Sequence, residues 1–261
     1  MKRAMRIYFT CVKTALARAM TYRSSFLLGT VITLLSNLLF PVVTVLIYSA
    51  GASFPDWSVW EVLLLQGIYT LSLGLSSLVF EGIVWDTMGH IREGTYELIL
   101  LRPMHPLLYM LSNNFNPESF SLFLGGGAMA GVSLAFSGAS PGIGNWLQFV
   151  LLFLAGAAVM GGLYLIMAAI SFKWIGNSRI PELFDSVRMF GKYPAGIFPK
   201  ALRAVTMFVI PVAMIGFFPC AALLGNAPRF VLLMLIPCGL FLLAGIWLYN
   251  RMIKLYEGVG G

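Results

Sequence analysis

Long apolar runs separated by short polar segments make up most of this chain. A helix that crosses a bilayer needs about 20 mainly apolar residues, because each residue adds about 1.5 Å and the hydrocarbon core is about 30 Å thick. Six runs reach that length. They cover residues 25–49, 58–81, 118–138, 146–172, 203–224 and 230–249. The pattern therefore predicts an all-α, polytopic membrane protein with six transmembrane helices.

The polar segments divide the chain without separating it into domains. No Pro/Ser-rich or charged low-complexity tract marks a linker, so we expect one transmembrane domain over residues 1–261. Residues 1–23 place apolar and basic side chains on opposite faces of a helix, which predicts an interfacial helix with its basic face toward anionic headgroups. Residues 83–117 and 173–203 are predicted to lie at the cytoplasmic side.

The fifth apolar run contains Pro211 and Pro219, eight residues apart. A proline inside a helix removes a backbone hydrogen bond, and a membrane tolerates the loss only where protein or a water-filled cavity satisfies the freed groups. We expect the helix to break near the outer leaflet. A simple kinked span and a re-entrant turn both fit this pattern.

Small residues four positions apart indicate where helices pack closely. The pairs are Gly127 with Gly131, Ala157 with Gly161, and Ala158 with Gly162. At the start of the third run, Asn116 and Pro117 precede Glu118, a combination typical of a helix N-terminus. We expect Glu118 to begin that helix.

Composition agrees with a membrane protein, and charge orients it. Apolar residues make up 59% and charged residues 10%, with a mean hydropathy of +0.87. If both termini are cytoplasmic, 16 of the 17 Lys and Arg residues lie in predicted cytoplasmic segments, and only Arg229 lies on the outer side. By the positive-inside rule this asymmetry predicts cytoplasmic termini. The net charge of +7 is explained by topology and does not indicate a nucleic-acid partner.

The sequence carries no pattern for catalysis or for a bound cofactor. Gly191-Lys192 lacks the following Ser or Thr and the upstream glycine of a phosphate-binding loop, and the two histidines form no zinc motif. The cysteines Cys11, Cys220 and Cys238 are widely spaced and suggest neither disulfides nor a thiolate metal site. We expect a non-catalytic chain without a metal or cofactor of its own.

Polar residues in or beside the apolar runs are few. Ion-driven transporters usually place ionisable groups deep in their spans, whereas Glu61, Glu81 and Glu118 fall near predicted span ends. Asn37, Gln66 and Asn145 are the strongest uncharged candidates, although hydrogen bonding between helices explains such residues more often than ligand binding does. A gradient-driven transporter is therefore disfavoured and kept as an alternative.

A charged segment, residues 92–103, lies between the second and third apolar runs. One interpretation is a solvated face of a short loop helix, with Glu93 and Glu97 among basic neighbours. The other is a transverse helix docked in the groove of a partner. There Gly94 would let the chain turn, Tyr96 and the leucines would anchor it, and the charges would fix its register.

At these residues the sequence resembles a known family. The stretch from Arg92 to Pro106 reads REGTYELILLRPMHP and is similar to the coupling segment of type-2 ABC exporter permeases. Its position between spans two and three of a six-span chain strengthens the resemblance. A bacterial subgroup of about 260 residues is also similar in the later stretches 192–194, 197–199, 208–211, 217–219 and 223–225.

The resemblance implies a permease in the bacterial cytoplasmic membrane. Two permeases, identical or different, would sit over two ABC ATPase subunits that bind ATP and Mg, and would export a small amphiphilic, drug-like or lipid-like substrate. The implied coupling residues are His90, Arg92, Glu93, Gly94, Tyr96, Glu97, Leu98 and Arg102. The implied translocation path includes Asn37, Gln66, Tyr69, Pro211, Phe217 and Pro219. A non-transporting membrane scaffold is a further alternative.

Overall fold

The computed structural model describes residues 2–174 and 179–256, and within these ranges every regular element is helical. The α-helices are α1 (Lys2–Thr21), α2 (Arg23–Ser49), α3 (Val59–Ser76), α4 (Gly82–Arg92), α5 (Glu97–Leu100), α6 (Pro106–Asn113), α7 (Phe120–Phe136), α8 (Ile143–Ser171), α9 (Arg179–Met189), α10 (Lys200–Ala204), α11 (Phe217–Leu223) and α12 (Leu235–Ile253). Short π and 3-10 turns join or extend several of them. The predicted all-α membrane fold is confirmed.

Five helical stretches are long and apolar enough to cross a membrane, and a bent pair makes a sixth. The unbroken stretches are Arg23–Ser49, Val59–Arg92, Pro117–Phe136, Ile143–Ser171 and Val231–Ile253. The helix that contains span two continues beyond the predicted span end at residue 81. A π turn, Ser77–Glu81, joins α3 to α4, and the helix continues because Ile83, Val84 and Ile91 pack inward. Residues 175–178 of the predicted 173–203 segment lie outside the described residues.

The fifth span breaks at its first proline. Lys200–Val209 and Val212–Leu223 meet at 75°, and Pro211 lies in the gap. The half after the break is buried in the protein, and the Ser72 hydroxyl donates to the Ile215 carbonyl over 2.9 Å. The Ile215 carbonyl is the one that Pro219, four residues later, leaves without a helical donor, so a partner inside the chain satisfies it, as irregular backbone at membrane depth requires.

Helix α8 lies at the centre of the fold and α2 at its edge. The C-terminal half of α8, from Gly156 to Ser171, is largely buried against α3, α4, α11 and α12. In contrast, α2 exposes apolar side chains along most of its length, including Leu28, Leu35 and Leu39. An exposed apolar helix of this length is suited to contact lipid or another membrane helix.

Helices α3 and α7 approach each other through glycines. A Cβ on Gly126 would lie 2.4 Å from the Leu71 amide nitrogen, and one on Gly74 would lie 2.4 Å from that of Phe123. The predicted Gly127/Gly131 contact is wrong, because Gly131 has open space around it. The residue that faces α3 is Gly126, since helical phase, not spacing alone, decides which glycine meets the neighbour.

Gly126→Ala should destabilise the protein, whereas Gly131→Ala should not. The added methyl at Gly126 meets backbone that cannot move aside, and overpacking of this kind costs about 1–3 kcal/mol. Thermal unfolding in detergent, followed by a thiol-reactive dye that reports exposure of the buried Cys220 and Cys238, measures the effect. Equal melting temperatures for the two variants would contradict the close packing of α3 and α7.

Candidate functional site

The charged segment begins with a sharp turn at the end of α4. Gly94 has a φ of +69°, the Gly94 amide donates to the Ile91 carbonyl, and the Thr95 amide donates to the His90 carbonyl over 2.9 Å. These are the two bonds of a Schellman cap, in which glycine takes the left-handed position at least cost. Gly94 therefore reverses the chain direction. Its role as a moving hinge remains a prediction.

Tyr96 faces inward, against the expectation that it contacts a partner. Its ring is fully buried and meets Phe172 edge to face at 4.9 Å between centroids. Its hydroxyl lies 3.1 Å from that of Tyr249, which in turn lies 3.1 Å from the Thr87 hydroxyl. Burial raises the pKa of the Tyr96 phenol, so it stays neutral. Tyr96 thus fixes the charged segment to α4, α8 and α12 of its own chain.

The helical part of the charged segment is a single turn, α5, shorter than the predicted coupling helix. The exposed side chains form a leucine ridge, Leu98, Leu100 and Leu101, and Leu98 and Leu101 are 61% and 81% exposed. Charged side chains lie around the ridge, and these are Arg92, Glu93, Glu97 and Arg102. The Arg102 guanidinium stacks 4.5 Å above the Tyr109 ring. The segment presents an apolar surface with a charged rim.

His90 connects the charged segment to α4 through its two ring nitrogens. Its Nδ1 lies 2.7 Å from the Thr95 hydroxyl, and its Nε2 lies 3.8 Å from an Asp86 carboxylate oxygen. The Asn114 amide donates to the same oxygen over 3.0 Å. The spacing of Asp86 and His90, one helical turn, could have revealed part of this network, but the contribution of Asn114 from α6 is visible only in the structure.

Gly94→Ala should weaken the turn, and Gly89→Ala is its matched control. A left-handed backbone costs a residue with a Cβ about 1–2 kcal/mol, whereas Gly89 lies inside α4 with open space around it. We expect Gly94→Ala to increase proteolytic cleavage within residues 92–103 in detergent. Unchanged cleavage in Gly94→Ala would show that the cap does not hold the segment in place.

Most predicted path residues lie in packed protein. The Gln66 amide donates to the Thr44 hydroxyl over 2.8 Å, and Tyr69 packs against Gly191 and Gly216. Pro211 and Pro219 are also buried. Phe217 is half-buried and lines a cavity of about 260 Å³ near the N-terminal end of α3. The structure therefore does not bring these residues together around one cavity.

Asn37 is the one predicted path residue that lines two neighbouring cavities, an apolar cleft and a polar cavity. The apolar cleft has a volume of about 600 Å³ and is lined by residues of α2, α3 and α7. The polar cavity has a volume of about 320 Å³. Its lining residues are Thr33, Asn37, Leu73, Ser77, Glu81, Asn116, Glu118, Ser119, Leu122, Tyr164 and Arg188. Asn37 and Leu122 line both, so the cavities adjoin.

Arg188 and Tyr164 organise the polar cavity. The Arg188 guanidinium donates to the Tyr164 hydroxyl over 2.8 Å and pairs with Asp185. The Tyr164 hydroxyl lies 2.9 Å from the Ser77 hydroxyl, at the start of the π turn that ends in Glu81. Glu81 is half-buried within the helical stretch 59–92, although the sequence placed it at a span end. Its carboxylate is the functional candidate that sequence reasoning missed.

Outside the cavity, Lys192 is a half-buried cation that lies over two aromatic rings. Its ammonium lies 4.9 Å above the Phe40 ring and 5.2 Å above the Tyr69 ring. Burial lowers the pKa of this ammonium.

The described residues include no group of three or more His, Cys, Asp and Glu side chains placed to hold a metal ion.

Comparison with known proteins places this architecture in a family. The model of the ABC-2 family transporter proteins matches residues 19–260. The chain belongs to the ABC-2 transporter family. No curated protein matches the chain significantly. As an ABC-2 transporter protein, it is a multi-pass membrane component of an ABC transporter, a class of subunit that is generally non-catalytic. The resemblance found from the charged segment is thereby confirmed.

Proposed function

We propose that this protein is the permease subunit of an ABC exporter, driven by a separate ATPase that docks on the charged segment. The observation that carries the proposal is the leucine ridge, held outward by the buried Tyr96 on a family member that spans the membrane. An apolar centre with a charged rim is the usual anatomy of a protein interface. Exposed leucines on an isolated loop would otherwise cost solvation energy.

The helical stretch 59–92 connects this surface to the membrane interior. Movement of the charged segment would be transmitted along α4 and α3 to the cavities, and through Tyr96 to α8 and α12. Two permeases, identical or different, would each receive one ATPase, and closure of the ATPases on ATP and Mg would drive the pair between inward and outward states. Rigid-body switching of this kind needs the firm attachment that Tyr96 provides.

Direction, location and substrate complete the proposal. The distribution of Lys and Arg favours cytoplasmic termini in a bacterial cytoplasmic membrane, with the charged segment on the same side as the ATPase. The apolar cleft and the polar cavity favour a small amphiphilic substrate, taken from the cytoplasm or inner leaflet. An amphiphile can use both cavities, because they adjoin.

Purification from the native membrane tests the ATPase partner. A tag at the C-terminus, mild detergent and mass spectrometry should recover an ABC ATPase in amounts equal to total permease, and should show whether a second permease is present. Absence of any ATPase, under conditions that keep other membrane complexes intact, would overturn the proposal.

Glu81 favours one alternative, a transporter driven by an ion gradient. A half-buried carboxylate inside a span is a common proton or cation site. Transport in vesicles separates the two functions. The exporter requires ATP and the ATPase, whereas the alternative persists without the ATPase and collapses when an ionophore dissipates the proton gradient.

A further inference from the structure

We propose that the polar cavity and the apolar cleft together bind a cationic amphiphile. Its positively charged head would lie between Glu81 and Glu118, and its apolar body would lie in the cleft between α2, α3 and α7. This inference rests on the proposed exporter function and names the chemical class of its substrate.

The carboxylates of the polar cavity are only partly balanced in the described part of the chain: the Ser77 hydroxyl and the positive charge of Arg188 stabilise the Glu81 carboxylate. Neither Glu81 nor Glu118 forms an ion pair there. Arg188 is the cation that lines the cavity, but its guanidinium is engaged by Asp185 and Tyr164. Arg18 and Glu118 line a neighbouring cavity of about 210 Å³ together, and these two described residues form no ion pair. Two carboxylates and one guanidinium line the polar cavity, so its lining carries a net negative charge.

Burial makes that excess of negative charge costly. A carboxylate removed from water is destabilised unless a cation or hydrogen bonds compensate it. Glu81 lies in the helical stretch 59–92 and is half-buried, so burial costs it more than it costs the exposed Glu118. A ligand cation would offset the cost, whereas an anionic head would increase it. Charge complementarity thus selects a positively charged occupant.

The local backbone supports a binding role for Glu81. Residues Ser77–Glu81 form a π turn in an otherwise α-helical span, and both end residues of this turn line the polar cavity. Single π turns inside helices are frequent at functional sites, because they shift side chains out of the regular helical phase. Here the turn lets a hydroxyl and a carboxylate line the same space.

Glu118 closes the other side of the site. A Cβ on Gly29 would lie 3.0 Å from a Glu118 carboxylate oxygen, so this carboxylate rests against the backbone of α2. Since α2 also forms one wall of the apolar cleft, the carboxylate lies beside the same helix that would contact the tail. Head and tail contacts are therefore available to one molecule.

The cleft has the size and the character for the apolar part. Its volume of about 600 Å³ falls within the range of drug-sized ligand pockets, about 300–1,000 Å³. Side chains such as Leu38, Val42, Leu63, Met129 and Val132 line it. Methionine and aliphatic side chains adapt to varied apolar shapes.

Photolabelling of the full transporter complex in lipid nanodiscs tests the site. The probe is a dodecyl chain with a photoreactive diazirine and a trimethylammonium head, and its counterparts carry a sulfate or a phosphocholine head. We expect saturable labelling of cleft residues on α2 and α7 by the ammonium probe, about tenfold above both counterparts, as expected for one charge-assisted contact. Equal labelling by the sulfate probe would overturn the cationic assignment. Equal labelling by phosphocholine would instead indicate a zwitterionic lipid and would also overturn it.

Matched carboxylate variants locate the head. Glu81→Gln and Glu118→Gln should each lower labelling by the ammonium probe several-fold and together about tenfold. Glu61→Gln is the control, because Glu61 lies at the outer end of α3 in a capping box that also accepts Gln. Unchanged labelling in the double variant, inserted at normal levels, would refute the proposal. Co-purified ATPase is measured in the same samples, so loss of head selectivity and loss of the ATPase partner are distinguishable.

Discussion

Leu98→Asp combined with Leu101→Asp should remove the ATPase from the purified complex. Both side chains are largely exposed on the leucine ridge, so the change leaves the chain's own core intact. Full burial of a leucine side chain stabilises a complex by about 1.5–3 kcal/mol, so its loss lowers the affinity by roughly 10- to 150-fold per residue. Quantitative mass spectrometry of the tagged complex, with ATP hydrolysis in nanodiscs, measures the loss.

Leu183→Asp is the control for that double variant. Leu183 lies on α9 and is 64% exposed, close to the exposure of Leu98, but it is outside the charged segment. We expect normal ATPase recovery with this change. Comparable loss of the ATPase in both proteins would mean that a charge introduced anywhere on the exposed surface disrupts the complex. The docking role of the leucine ridge would then be wrong.

Tyr96→Ala should destabilise the protein by about 3–5 kcal/mol, the usual cost of truncating a buried aromatic side chain. The change empties the space beside Phe172 and leaves the Tyr249 hydroxyl with Thr87 as its remaining partner. Tyr96→Phe keeps the ring and removes one hydroxyl contact, so its expected cost is about 1 kcal/mol. The thiol-reactive unfolding measurement in detergent ranks the two variants.

An exposed tyrosine provides the reference for this pair. Tyr22 lies at the junction of α1 and α2 and is 66% exposed. Tyr22→Ala should therefore change the free energy of unfolding by no more than about 0.5 kcal/mol. If Tyr96→Ala melted at the same temperature as Tyr22→Ala, the attachment of the charged segment to α8 and α12 would be too weak to transmit movement.

The predicted spans succeed and fail for a common reason. Apolar length is a property of consecutive residues, so the runs could be recognised one by one, and the break at Pro211 follows from one missing amide. The length of the second helix was not predicted, because Glu81 interrupts the apolar run whereas the helix itself continues to Arg92. Glu81 ends the apolar run in the sequence, but the helix continues past it and the Glu81 side chain lines the polar cavity.

The direction of Tyr96 shows the same limit at the charged segment. An aromatic residue among leucines and charges fits a partner contact as well as an internal anchor. The distinction depends on Phe172 and Tyr249, which come from α8 and α12, far along the chain. Sequence spacing within the segment contains no information on those neighbours.

The sequence by itself determined the membrane class, the number of apolar runs, the proline break and the place of the charged segment, because each depends on local composition or on one backbone group. Tertiary structure alone decided that Tyr96 points inward, that Gly126 faces α3, and that Glu81 and Glu118 line one cavity. Helical periodicity defines the faces of a single helix. Which face meets which neighbour is set by the packing of helices distant in sequence, and that packing creates the site.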